Sequence, residues 1–121
     1  MNRILIIDDE ELVRLTIKDV LNMEGYEVET AENGEQGFRM QKEMPFDLVI
    51  TDILMPVKEG IQTIKVLREA WPDLPIIAIS GGGKIQNTDY LDTAKSVGAS
   101  AVLAKPFTED DIIQAVKKCL R

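Results

Sequence analysis

The sequence predicts a three-layer α/β domain: a doubly wound, five-stranded parallel sheet with helices on both faces. Two features of the pattern and one of its spacing lead there. Five short apolar runs alternate with five helical stretches along 121 residues. Four of the five runs are continuously hydrophobic and rich in β-branched residues, as strands buried on both faces must be. The connections are too short for anything but right-handed crossovers.

The first strand is Ile4-Leu5-Ile6-Ile7, followed by a helix with Leu12, Val13, Leu15, Ile17, Val20 and Leu21 at helical spacing and Gly25 as its stop signal. The second strand, Tyr26-Glu27-Val28, alternates apolar and charged residues, as an edge strand does. A helix from Gly37 to Met44 ends before Pro45, and Leu48-Val49-Ile50 forms the third strand. Ile61, Ile64 and Leu67 mark a third helix ending before Trp71-Pro72, and Ile76-Ile77-Ala78-Ile79 is the fourth strand. A fourth helix is expected over about residues 87 to 97, ending at Gly98, and Ala101-Val102-Leu103-Ala104 is the fifth strand. The last helix opens at Thr108 with Asp111 three residues on, a capping box, and carries Ile112, Ile113, Val116 and Leu120 on one face to the end of the chain. A single edge strand, second in sequence, gives the flavodoxin-like order 2-1-3-4-5.

Composition removes several classes of function. The chain has no histidine, which excludes Ser-His-Asp and Cys-His nucleophilic machinery, His-ligated haem and His-containing zinc sites. The lone Cys119 forms no internal disulfide and points to packing in a reducing compartment. No apolar run is long enough for membrane insertion, and Met1 leads straight into the first strand without a signal pattern, so a cytoplasmic location is expected. A net charge of -7 repels a nucleic-acid backbone, so direct nucleic-acid binding is not expected.

In a sheet of this order, ligands bind beyond the carboxyl ends of the strands, at the switch point between the first and third. Strand one ends in Asp8-Asp9-Glu10-Glu11, strand three in Asp52, strand four in Ser80 and strand five in Lys105-Pro106. Glu10 and Glu11 are explained by the positive end of the following helix dipole. Asp8 and Asp9 face Asp52 across the switch point, and three crowded carboxylates repel unless a proton or cation is shared. Hard oxygen donors suit Mg²⁺ and leave room for a phosphate oxygen. The same acidity argues against a flavin-phosphate or dinucleotide loop, which needs amides free of negative charge after strand one. Ser80-Gly81-Gly82-Gly83-Lys84 is not a P-loop, because Ala78 and Ile85 stand where that motif requires Gly and Ser or Thr.

With these residues in this order, the chain resembles the receiver domain of two-component response regulators over residues 1–121. The resemblance is carried by Asp8-Asp9, by Asp52-Ile53-Leu54-Met55-Pro56 with Gly60, by Ser80, and by Lys105-Pro106-Phe107. It implies that Asp52 accepts a phosphoryl group, and that Asp8, Asp9, Asp52 and the Leu54 carbonyl hold Mg²⁺. It further implies that Ser80 and Lys105 bind phosphoryl oxygens, and that the Lys105-Pro106 peptide is cis. The donor would be a sensor histidine kinase or histidine phosphotransfer protein, or a small acyl phosphate. The response would shift the face of the fourth helix, fifth strand and fifth helix toward a downstream protein target. Such a domain is not an enzyme beyond its own phosphorylation and dephosphorylation.

Two positions depart from the family pattern. Val102 occupies the place of the usual switch aromatic, which leaves the Gly81-Gly82-Gly83 loop to carry the switch. Leu54 and Gly82 stand where relatives tune dephosphorylation and cannot orient water, so a long-lived phosphoryl group is expected. Two other functions compete. A Mg²⁺-dependent phosphohydrolase using an aspartyl-phosphate would need Asp where Leu54 stands, and a pseudo-receiver would bind partners without phosphorylation.

Overall fold

The computed structural model describes residues 2–53, 57–80, 94–104 and 107–120. In chain order the elements are β1 (Arg3–Ile7), α1 (Glu11–Met23), β2 (Glu27–Ala31), α2 (Gly34–Glu43), β3 (Leu48–Asp52), α3 (Val57–Ala70), β4 (Ile76–Ser80), a helical segment α4 (94–96), β5 (Ala101–Ala104) and α5 (Glu109–Cys119). The strands form one parallel sheet in the order β2-β1-β3-β4-β5. The sequence-derived architecture is therefore the observed one.

Because successive side chains of a strand point to opposite faces, β1 splits its apolar run between two cores. Leu5 and Ile7 join Val49, Ile76 and Ala78 beneath Ile64 and Leu67 of α3 and Ala94 of α4. Ile4 and Ile6 join Leu48, Ile50, Ile77 and Ile79 beneath Ile17 and Leu21 of α1 and Ile112 and Val116 of α5. This two-sided burial makes β1, β3 and β4 read as continuous hydrophobic runs.

The helix ends are as their chemistry dictates. Gly25 follows α1 with φ +95° and Gly98 follows α4 with φ +122°, conformations that side chains rarely adopt. Thr108 caps α5 through the full capping box, its hydroxyl accepting from the Asp111 N–H at 3.0 Å while the Asp111 carboxylate accepts from the Thr108 N–H at 2.9 Å.

Three readings of the sequence are corrected. The run Ala101 to Ala104, expected to be buried on both faces, is half-buried or exposed, because β5 is the second edge that the order 2-1-3-4-5 requires. Leu12 and Leu15 are 76% and 46% exposed, since Ile17 and Leu21 with the half-buried Val13 and Val20 already cover the sheet. Helix α5 ends at Cys119 with Leu120 as its cap, short of the run expected to the end of the chain, whose last residue lies outside the described ones.

At the end of the sheet where the strands begin, Arg68 on the last turn of α3 joins two turns. Nη1 donates to the carbonyls of Trp71 and Pro72 at 3.2 and 2.7 Å, and Nε and Nη2 donate to the carbonyl of Gly98 at 3.1 and 2.7 Å. These bonds tie the turn that leaves α3 to the turn before β5.

At the opposite end, Gly60 allows α3 to rest directly on the end of β3. A Cβ there would meet the backbone of Ile53 and stand 2.7 Å from the Asp52 carbonyl oxygen. Gly60→Ala is expected to cost about 1–3 kcal/mol in urea denaturation, the range for overpacking against atoms that cannot yield. An unchanged midpoint would show that α3 is free to lift. Burial pushes the thiol of Cys119 up in pKa, against a smaller opposing effect of Lys118. Since the thiolate is the reactive form, iodoacetamide at pH 8 should alkylate the folded protein more slowly than the protein in urea. Equal rates would contradict this burial.

Candidate functional site

The parallel register gathers the acidic residues at one rim. Ile7 of β1 lies opposite Thr51 of β3, so the next residues along, Asp8 and Asp52, stand side by side where the two central strands end. Both are buried, at 1% and 3% exposure, whereas Asp9 and Glu10 face solvent. One carboxylate oxygen from each of Asp8, Asp9, Glu10 and Asp52 lies within 4.8 Å of the others.

The local chain is folded to bring this about. The Asp8 N–H extends the ladder by one bond, to the Ala31 carbonyl at 3.1 Å. Its Oδ1 then accepts the N–H of Glu10 at 2.8 Å, closing an Asx turn that leads into α1. Glu10 is the N-cap of α1, with extended backbone and no side-chain cap bond, so its carboxylate is not engaged with the helix. At the other strand the Ile53 N–H donates to the Ile79 carbonyl at 3.0 Å, which fixes the exit from Asp52.

Two unit charges about 4 Å apart interact by about 4 kcal/mol at an effective dielectric near 20. The repulsion is strongest between the buried Asp8 and Asp52, least screened by solvent, and a cation seated between them relieves it. Carboxylate oxygens are the donors that hard divalent cations prefer, and two buried and two exposed ones leave part of a coordination shell open to water or a phosphate oxygen. The donor set fits Mg²⁺.

Known proteins place this arrangement in a family. The profile of the response regulator receiver domain matches residues 4–117. The chain belongs to that family. It is 38% identical over 120 residues to the chemotaxis protein CheY of Bacillus subtilis, covering 98% of each. It superposes on the chemotaxis response regulator CheY4 of Vibrio cholerae with a TM-score of 0.87 at 29% identity, covering 99% of both chains. It also matches longer proteins: it is 32% identical over 121 residues to the transcriptional regulatory protein CpxR of Escherichia coli, spanning all of this chain and 50% of that protein.

This receiver domain brings together Asp8, Asp9 and Asp52 as the sequence leads one to expect. Ser80 closes β4 and Ala104 closes β5 opposite it, which puts the backbone of Ser80 and the end of β5 on the same rim. Leu54, Lys105, Pro106 and Gly81 to Gly83 lie outside the described residues, as do the side chain of Ser80 and the peptide before Pro106. Val102 is half-buried in β5 and packs against the core beneath α3 and α4.

The residue that sequence reasoning passed over is Glu10. The helix dipole accounts for its charge but not for its direction. The signal was the preceding pair of aspartates, because an Asp two residues before it can form the Asx turn that folds Glu10 against the cluster.

Relief of repulsion gives a direct test. In metal-free buffer Asp9→Asn should melt a few degrees higher than the parent, whereas millimolar Mg²⁺ should raise the parent's Tm and leave the variant nearly unmoved. A parent indifferent to Mg²⁺ would remove the cation from the site.

Proposed function

We propose that the domain is a phosphoacceptor in a two-component phosphorelay, with Asp52 as the accepting residue. The observation that carries this is the buried Asp52 carboxylate at the end of the central strand β3, within 4.8 Å of three others on the rim of a receiver fold.

Asp8, Asp9 and Asp52 would hold Mg²⁺ together with the carbonyl of Leu54, and Glu10 stands close enough to join through its carboxylate or a water. The cation, when bound, supplies positive charge to the phosphoryl oxygens. A carboxylate oxygen of Asp52 attacks phosphorus in line; the new P–O bond forms as the bond from phosphorus to the donor breaks, and the donor leaves with that electron pair. Lys105 and Ser80, at the ends of β5 and β4, would pair with and hydrogen-bond the remaining oxygens. The domain contributes positioning and charge, and its chemistry is confined to its own aspartate.

With no histidine in the chain, the phosphoryl donor must be external. A sensor histidine kinase, a histidine phosphotransfer protein or a small acyl phosphate supplies the required high-energy P–N or P–O bond. The site gains roughly -1.5 to -2 in charge on phosphorylation. The responding surface would be α4, β5 and α5, read by a downstream protein, with Val102 in place of an aromatic switch. A cytoplasmic setting accords with the unpaired Cys119 and with the absence, among the described residues, of any helix long and apolar enough to cross a membrane.

Intact-protein mass after incubation with Mg²⁺ and acetyl phosphate tests the proposal. The parent should gain one phosphoryl group, while Asp52→Ala and a chelated sample should gain none. No gain from acetyl phosphate or from a panel of sensor kinases would identify a phosphorylation-independent binding module instead.

A further inference from the structure

Arg14 lies on the first turns of α1 and directs its guanidinium back to the acidic rim. Nη1 donates to the main-chain carbonyl of Asp8 at 2.7 Å. That carbonyl belongs to the peptide joining Asp8 to Asp9, so the plane it fixes helps to set the direction of both side chains. The rest of the turn is tied down as well. The Asp8 N–H is held by Ala31, its Oδ1 by the Glu10 N–H, and the Arg14 N–H donates to the Glu10 carbonyl at 3.1 Å. The Arg14 N–H bond is the ordinary first-turn helix bond, so the contribution particular to the arginine side chain is the one to the Asp8 carbonyl. Among the described residues no carboxylate lies in salt-bridge contact with its guanidinium, whose bond goes to the backbone.

We propose that Arg14 is a positioning residue for the divalent-cation site. By clamping the Asp8–Asp9 peptide, it holds the carboxylates of Asp8 and Asp9 in the arrangement that converges on Asp52 and Glu10. The proposal rests on the reading of this rim as a Mg²⁺ site.

Charge and geometry make opposite predictions here, which separates them cleanly. A guanidinium beside a cation site repels the incoming ion, so an effect through charge alone would make binding tighter when Arg14 is neutralised. An effect through geometry makes binding weaker, because groups that orient metal ligands typically affect affinity by about 10–100-fold. Lysine keeps the charge but offers a compact ammonium in place of the planar fork, so it changes geometry at constant charge.

Calorimetric titration with Mg²⁺ decides the matter, using the parent, Arg14→Met and Arg14→Lys at a temperature where circular dichroism shows each folded. We expect the Kd of Arg14→Met to rise about tenfold or more, with Arg14→Lys between it and the parent. A purely structural role would lower Tm and leave Kd unmoved; an unchanged or tighter Kd in folded Arg14→Met overturns the proposal. Should Arg14→Met not fold, Arg14→Lys alone decides: weaker binding at intact charge supports positioning, and parental affinity refutes it. A parent that takes up no Mg²⁺ overturns both the proposal and the cation reading beneath it. Parental binding with an unaffected variant removes the proposal alone.

Discussion

Four carboxylates that repel one another are held within 4.8 Å at one rim, and much of the structure is arranged to keep them there. The confinement begins with the register of β1 against β3, which aligns Asp8 with Asp52. Neither strand can move aside, because each is buried on both faces between two apolar cores. The close seat of α3 on β3 at Gly60, the Asx turn of Asp8 and the clamp from Arg14 extend that rigidity from the strands into the loops. A site built this way keeps its carboxylates converged, which is the arrangement a divalent cation needs.

The fold was largely legible in the sequence because its strongest signals are backbone-wide. Short, β-branched apolar runs such as Ile4 to Ile7 mark strands buried on both faces, and the alternating Tyr26-Glu27-Val28 marks an edge. Less legible were features that depend on what lies across from a residue. Ala101 to Ala104 read as buried on both faces, yet at the edge of the sheet β5 is half-buried or exposed. Leu12 and Leu15 fit the helical period and still face solvent, because period identifies a stripe without saying how wide a stripe the sheet can cover.

The same distinction holds at the site. Asp8, Asp9 and Asp52 announced themselves by standing at strand ends, where topology alone fixes their neighbourhood. Glu10 and Arg14 act through side-chain direction, which is set by a turn closed by Asp8 and by the path of one long arginine. For Glu10 the only trace in the sequence is the Asp two residues before it, and for Arg14 there is none. Arg68 is a parallel case at the far end, where one guanidinium serves carbonyls from the turn after α3 and from Gly98, 30 residues beyond the arginine itself.

That far end also holds the chain's single tryptophan. Trp71 follows the last residue of α3 and packs at 5.3 Å, tilted by 57°, against Phe38 of α2. Helix α3 runs the length of the sheet between the acidic rim, where it begins, and this aromatic pair, where it ends. The domain thus carries its intrinsic fluorophore on the side facing away from its chemistry. Ultraviolet emission from Trp71 reports whether α2 and α3 remain packed together, and is insulated by the full span of a helix from quenching by an ion or phosphoryl group at Asp52.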